Sequence, residues 1–419
     1  MNLPKMVKTR QHFKQPRVSD YKQVIIDELK KKKLNNRIKK GQRIAVTAGS
    51  RGISNIDQIL AIIVDEICKV GGEPFIVPAM GSHGGATPEG QLEVLETLGI
   101  TEESVRAPIL SSMEVEPLGE LEEGITIYLD RYALQADGIF VVNRIKPHTD
   151  FKGEIESGLL KMLAIGLGKQ KGAEMIHWHK YRGYHKLLPE AGRLIIEKAN
   201  IIMGLAIIEN AKHETAVIKS LYPEKLIEEK KKLLELAKEM LPRLPFKKLD
   251  VLIVEEMGKE ISGVGMDTNV TGRFWMPGEH DPKAPNIGKI VVLDLSDETH
   301  GNAIGIGLAD LTTDRVRDKI DWQQTYVNCL TQGSGETGKL PPTLSSDREA
   351  ISTAIKICGP VKPSDARVAR IKNTQDLEDI WISEALLKEV ENNPSLYKDL
   401  EILGEPREMQ FDIIGTLAR

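Results

Sequence analysis

Short apolar runs alternate along the chain with longer stretches of helical spacing. Residues 43–48 (RIAVTA) read as a buried strand, and residues 55–70 place Ile56, Ile59, Leu60, Ile63 and Ile67 at helical intervals before Gly71 and Gly72 stop the helix. A second strand is predicted at 74–79, followed by the turn-rich loop GSHGGATPEG and a helix over 89–98 that starts behind Thr87 and Pro88. Strand, helix, strand, loop, helix is the order of a parallel α/β sheet. Further strands are expected at 125–129, 138–142 and 201–208, and a helix at 187–198. The amphipathic Lys/Glu-rich stretch 223–240 predicts a helix, after which LPRLPFKKLD has the prolines and charges of a linker, with a boundary near Pro245. A second set begins with strands at 251–255 and 290–295 and continues with helices over 308–331, 350–357 and 382–391. The expected fold is therefore α/β: two α/β domains with mostly parallel sheets and a cleft between them. Residues 1–245 form the first, 246–389 the second that closes the cleft, and a tail of about 390–419 packs back on the first.

A length of 419 residues is more than one core usually organises, which agrees with two domains. The hydrophobic fraction of 41% and charged fraction of 28% let most of the chain bury a core. A net charge of -4 with 5% aromatics gives no sign of a nucleic-acid groove, although Lys and Arg make up 14 of the first 43 residues, read as a solvated helix plus an arm. Three distant cysteines, Cys68, Cys329 and Cys358, argue against a disulfide framework and a cysteine-based metal cluster, and fit the reducing cytoplasm. The N-terminus lacks a signal-peptide core and no apolar run reaches the roughly 18 residues of a membrane span, so neither export nor a membrane partner is expected.

The candidate chemistry is densest between Asn143 and His177, where charged residues and histidines crowd around glycines directly after a predicted strand. Open α/β sheets bind ligands beyond the carboxyl ends of their strands. Three residues are expected there: Arg51 in SRG, His83 in GSHGG and His148 in KPHTD. A lone histidine is usually structural, but a facing pair near neutral pKa can remove a proton on one side and deliver it on the other, which suits inversion of a stereocentre. Arg51 is either a surface residue of a βα turn or a bidentate partner for a substrate carboxylate. GLGKQKGA at 166–173 offers Gly166, Gly168 and Lys169 as a phosphate cradle, yet matches neither the P-loop nor the dinucleotide fingerprint. Lys161, among Leu159, Leu160, Met162 and Leu163, is either a snorkelling helix lysine or a desolvated nucleophile. His177 in IHWHKY is open to a plain helical role.

These residues together resemble the nickel-pincer lactate racemases and their 2-hydroxyacid racemase and epimerase relatives. SGLLKMLAIGLG places Lys161 where that family attaches a nickel-pincer nucleotide covalently, and His177, 16 residues on, matches its nickel-coordinating imidazole. His83 and His148 correspond to the family's paired acid/base histidines, and Arg51 to its substrate arginine. The resemblance covers about residues 45–180. In the second domain, GVGMDTNVTGRFW offers Asn269 and Arg273 as the amide and cationic side chains that close on substrate. The implied activity is inversion of the α-carbon of a small-molecule 2-hydroxyacid by transient hydride transfer to the pincer, which makes the chain an isomerase dependent on cofactor-synthesis enzymes. Short aliphatic, dicarboxylate and sugar acids all remain open as substrates, as does the oligomeric state. Two other readings stand beside it: a sugar-acid acid/base enzyme without nickel, and a non-catalytic carboxylate-binding protein.

Overall fold

The computed structural model describes residues 3–153 and 155–418. The chain divides into two compact units, one of Lys14–His148 and Lys152–Leu241, the other of Met1–Phe13, Thr149–Phe151 and Pro242–Arg419. Strand β1 (Met6–Gln11) opens the chain and belongs to the latter, the second unit.

The first unit is built on β2 (Arg43–Ala48), β3 (Glu73–Pro78), the hairpin β4 (Val115–Leu121) and β5 (Ile125–Asp130), then β6 (Gly138–Arg144), β7 (Ile201–Glu209) and β8 (Thr215–Leu221). Its main sheet has the order β3-β2-β6-β7-β8, parallel except for the edge strand β8. β7 is buried at every position but Glu209, as a strand covered on both faces should be. The helix Ile56–Lys69 buries the expected Ile59, Leu60, Ile63 and Ile67, which meet Ile44, Val46 and Phe140 of the sheet in one core. Thr87 caps the helix Pro88–Thr97 by accepting from the Gly90 amide, as Thr87-Pro88 predicted.

The second unit contains β9 (Lys248–Val254), β10 (Asn286–Val292), the short parallel pair β11 (Thr312–Thr313) and β12 (Thr343–Leu344), then β13 (Val368–Ile371), β14 (Asp379–Ser383) and β15 (Leu400–Ile402). Its six-stranded sheet runs β10-β9-β13-β14-β1-β15, with β10, β9 and β13 parallel and the rest antiparallel. Val251, Ile253, Val291, Ile351 and Val368 lie in its core.

Three expectations change. The basic start does contain a helix, Tyr21–Lys31, but its arm begins as a strand, because Lys8 and Arg10 are neutralised on Asp379 of β14, at 2.8 and 2.7 Å, while Thr9 turns inward. The tail pairs through β15 with β1 and so joins the second unit instead of the unit of residues 14–241. The single helix expected over 308–331 is broken into Asp314–Lys319 and Trp322–Gln332, since Thr313 and Asp321 each cap a new N-terminus with their side-chain oxygens.

Candidate active site

Arg51, His83 and His148 follow the carboxyl ends of β2, β3 and β6, three adjacent parallel strands. Two strand spacings, about 10 Å, separate the outer pair β3 and β6, with β2 between them. Ser50 Oγ lies 2.5 Å from His83 Nδ1, tying the β3 loop to the β2 loop. Glu209, at the end of β7, accepts from the Ser54 amide at 2.8 Å and pairs with Arg144, which braces the loop that carries Arg51. Arg51 and His83 are exposed, while His148 is half-buried.

After β6 the chain turns at Gly158, whose φ of 101° a side chain would resist, and enters a short helix, Leu159–Lys161, that passes directly into a π-helix, Met162–Gly166. This places Lys161 Nζ 2.6 Å from His148 Nε2. The His148 backbone is fixed as well: its N–H donates to Glu156 Oε2 at 2.9 Å, and its carbonyl accepts from Lys152 Nζ at 2.7 Å. Glu156 is fully buried and also pairs with Lys238 Nζ at 3.0 Å. His177 lies in the last turn of the helix Lys169–Trp178. A second π-helix, Gly183–Leu187, carries buried Tyr184, whose ring centroid is 6.1 Å from that of His148 and 5.7 Å from that of His177.

The electrostatics favour uncharged imidazoles. Burial first, then the charge of Lys161, with smaller effects from Lys152, His177 and Arg51, holds His148 well below the ordinary histidine range. Burial and Lys161 push His177 down to about 4. A neutral imidazole can accept a proton or bind a metal, and an imidazolium can do neither. Among the described residues no group of three or more His, Cys, Asp or Glu side chains is arranged to hold a metal ion.

Lys161, His177 and Arg51 thus all bear on the charge of His148, and His83 stands beside Ser50 of the Arg51 loop. Other candidates are occupied by packing. Lys169 is fully buried, 3.3 Å from Asp130 Oδ2 and bonded to Pro78 O and to Gln91 Oε1 at 3.0 Å, which makes it an internal ion pair and not a phosphate ligand. Gly166 and Gly168 serve close backbone packing, since a Cβ on either would lie 2.6 Å from Ala79 O and 2.5 Å from Ala164 O respectively. In the second unit Asn269 is fully buried, with its N–H and Nδ2 both donating to Asp267 Oδ1 at 2.9 and 2.7 Å. Arg273 Nη2 donates to Ile287 O, Gly288 O and Asp310 Oδ2 at 3.1, 3.2 and 2.8 Å.

Ser50, Glu156, Tyr184, Glu209 and Lys230 were missed by sequence reasoning. Glu156 had a weak signal in its proximity to His148, and Tyr184 in the His/Tyr-rich run IHWHKYRGYH. Lys230 had none, because it sits in the Lys/Glu pattern of an ordinary amphipathic helix, yet it is fully buried and its Nζ has no hydrogen-bond partner.

No helix among the described residues is long and apolar enough to cross a membrane. No curated protein sequence matches the chain. A solved structure, the lactate racemase apoprotein from Thermoanaerobacterium thermosaccharolyticum, shares the fold at a TM-score of 0.54 and 14% identity, over 87% of this chain and 93% of that one. Residues 4–181 match the family of the lactate racemase N-terminal domain, a span that includes Arg51, His83, His148, Lys161 and His177. Residues 4–181 are therefore similar to a lactate racemase N-terminal domain, which supports a lactate racemase-like function.

Proposed function

We propose that the chain is a 2-hydroxyacid racemase or epimerase in which Lys161 carries a nickel-pincer nucleotide and His177 contributes an imidazole to its nickel. The observation that carries this reading is the 2.6 Å contact of Lys161 Nζ with His148 Nε2 at the end of β6, inside the segment that matches the racemase domain. The donor set fits the group: a half-buried amine is available for covalent linkage, and His177 is a neutral, partly buried imidazole. With a single imidazole from the protein, the softer donors belong to the cofactor. When bound, the group supplies reversible acceptance of hydride from the hydroxyl-bearing carbon of the substrate.

The protein's own residues do the rest. Arg51 binds the substrate carboxylate, for which a planar guanidinium is suited. His148, held neutral, accepts the hydroxyl proton, and His83 is the second acid/base group that lets a proton be returned to the other enantiomer. Gly166, Gly168, Lys169, Asn269 and Arg273 are left out of this assignment because their contacts are internal. Three unpaired cysteines support a reducing, cytoplasmic setting.

The test is interconversion. Protein produced together with cofactor-making enzymes is given single enantiomers of lactate, malate and an aldonate, and the opposite configuration is measured by chiral chromatography. Appearance of the opposite configuration from at least one acid, lost in Lys161→Ala, is expected. Binding without interconversion across all three acids contradicts it.

A further inference from the structure

The contact between Lys161 and His148 also suits a step that precedes turnover. An amine 2.6 Å from a neutral imidazole is a nucleophile with its base already in hydrogen-bond reach, and the base is in turn fixed through its backbone by Glu156 and Lys152. Positive charge accumulates around the pair: Lys152 and Arg51 act with Lys161 on His148, and Lys230 feels both Lys161 and Lys238, the latter 3.0 Å from Glu156. Lys230 shows the effect: its Cε would be 3.3 Å from a Cβ on Gly158, three residues before Lys161, and burial drives its amine down to about 7, with Glu156 opposing and Lys161 and Lys238 adding to the shift. Ammonium groups this close disfavour each other.

We propose that the unloaded protein activates Lys161 for its own acylation, with His148 as the base, so that His148 serves the attachment step as well as turnover. In this step the uncharged Lys161 amine forms a C–N bond to an acyl carbon. His148 Nε2 takes the proton that Nζ sheds, and the leaving group departs with the electron pair of the bond that breaks. The acyl donor is an activated carboxylic acid derivative. The proposal rests on the assignment of Lys161 as the attachment lysine, but its test needs neither nickel nor hydroxyacid.

Unloaded protein is treated with p-nitrophenyl acetate at neutral pH, and acetylation of each lysine is followed by peptide mass spectrometry. Lys161 is expected to react at least tenfold faster than exposed Lys22 and Lys30, and His148→Gln to slow Lys161 at least tenfold while leaving Lys22 and Lys30 unchanged. Acetylation of wild-type Lys161 no faster than that of the exposed lysines overturns the proposal even if the variant does not fold. An unchanged Lys161 rate in folded His148→Gln overturns it as well. Fast acetylation in a protein that never interconverts hydroxyacids leaves this inference standing and removes the racemase reading instead.

Discussion

Two glycine-rich polar segments follow parallel strands in this protein, and they use their polar groups in opposite ways. At the carboxyl ends of β2, β3 and β6, the side chains of Ser50 and His83, and of Lys161 and His148, meet one another across loops, and the imidazoles of His148 and His177 are held uncharged by burial and by Lys161. In Asp267–Gly272, Asp267 caps a four-residue helix and takes both bonds from Asn269, while neighbouring Arg273 closes on Asp310. Both look like active-site loops in sequence. Where the partners come from separates them: Asn269 and Arg273 bond within their own loop and sheet, whereas Ser50 meets His83 from a neighbouring strand end and Lys161 meets His148 with their charges in conflict, the kind of perturbation that clusters at functional sites.

The largest expected effect follows from the first region. As is usual for loss of a general acid or base, His83→Gln should lower kcat by about 10² to 10⁴ with cofactor content unchanged, and His148→Gln should lower kcat per bound nickel by as much while also loading more slowly. Steady-state kinetics in both directions, with nickel measured on the same samples, check this; a loss of nickel in proportion to activity in His83→Gln, or an unchanged kcat per bound nickel in His148→Gln, removes that histidine from turnover.

Lys230→Met comes next. An amine near 10.4 in the unfolded chain and about 7 when folded binds fewer protons in the folded state, so between those values stability rises with pH. Removing it should therefore stabilise the protein by about 2 kcal/mol at pH 7 and flatten the rise toward pH 10. Urea unfolding at both pH values measures it. A destabilised variant would mean that Lys230 holds a charge partner.

The smallest effect belongs to the second region. Arg273→Ala should cost about 1–2 kcal/mol of stability through its lost bonds and leave kcat/KM within about twofold. A tenfold fall in kcat/KM at unchanged stability would return the Asp267–Gly272 loop and Arg273 to substrate binding.

Much of the first region was legible because its signals are local. Apolar periodicity marked β2, β3, β6 and β7, and strand-end logic then located Arg51, His83 and His148. Its neighbours were not legible for the opposite reason. Glu156 and Lys230 acquire their roles only when the 73 residues between them fold back, and on sequence Lys230 is indistinguishable from the exposed Lys232 nearby. Lys169 misled because a lysine among glycines reads as a phosphate ligand, while Asp130, its buried partner, lies on β5, 39 positions away. Likewise β1 and β15 have patterns too short and too charged to read as strands before Asp379 is placed beside Lys8 and Arg10.

The most direct measurement of the central assignment is the mass of the peptide containing Lys161 from protein produced with cofactor-making enzymes, together with nickel content. A cofactor-sized increment on Lys161, accompanied by nickel and absent from Lys161→Ala, is the predicted result. An unmodified Lys161 in protein that nevertheless interconverts 2-hydroxyacids, or an increment that persists in Lys161→Ala, would contradict it.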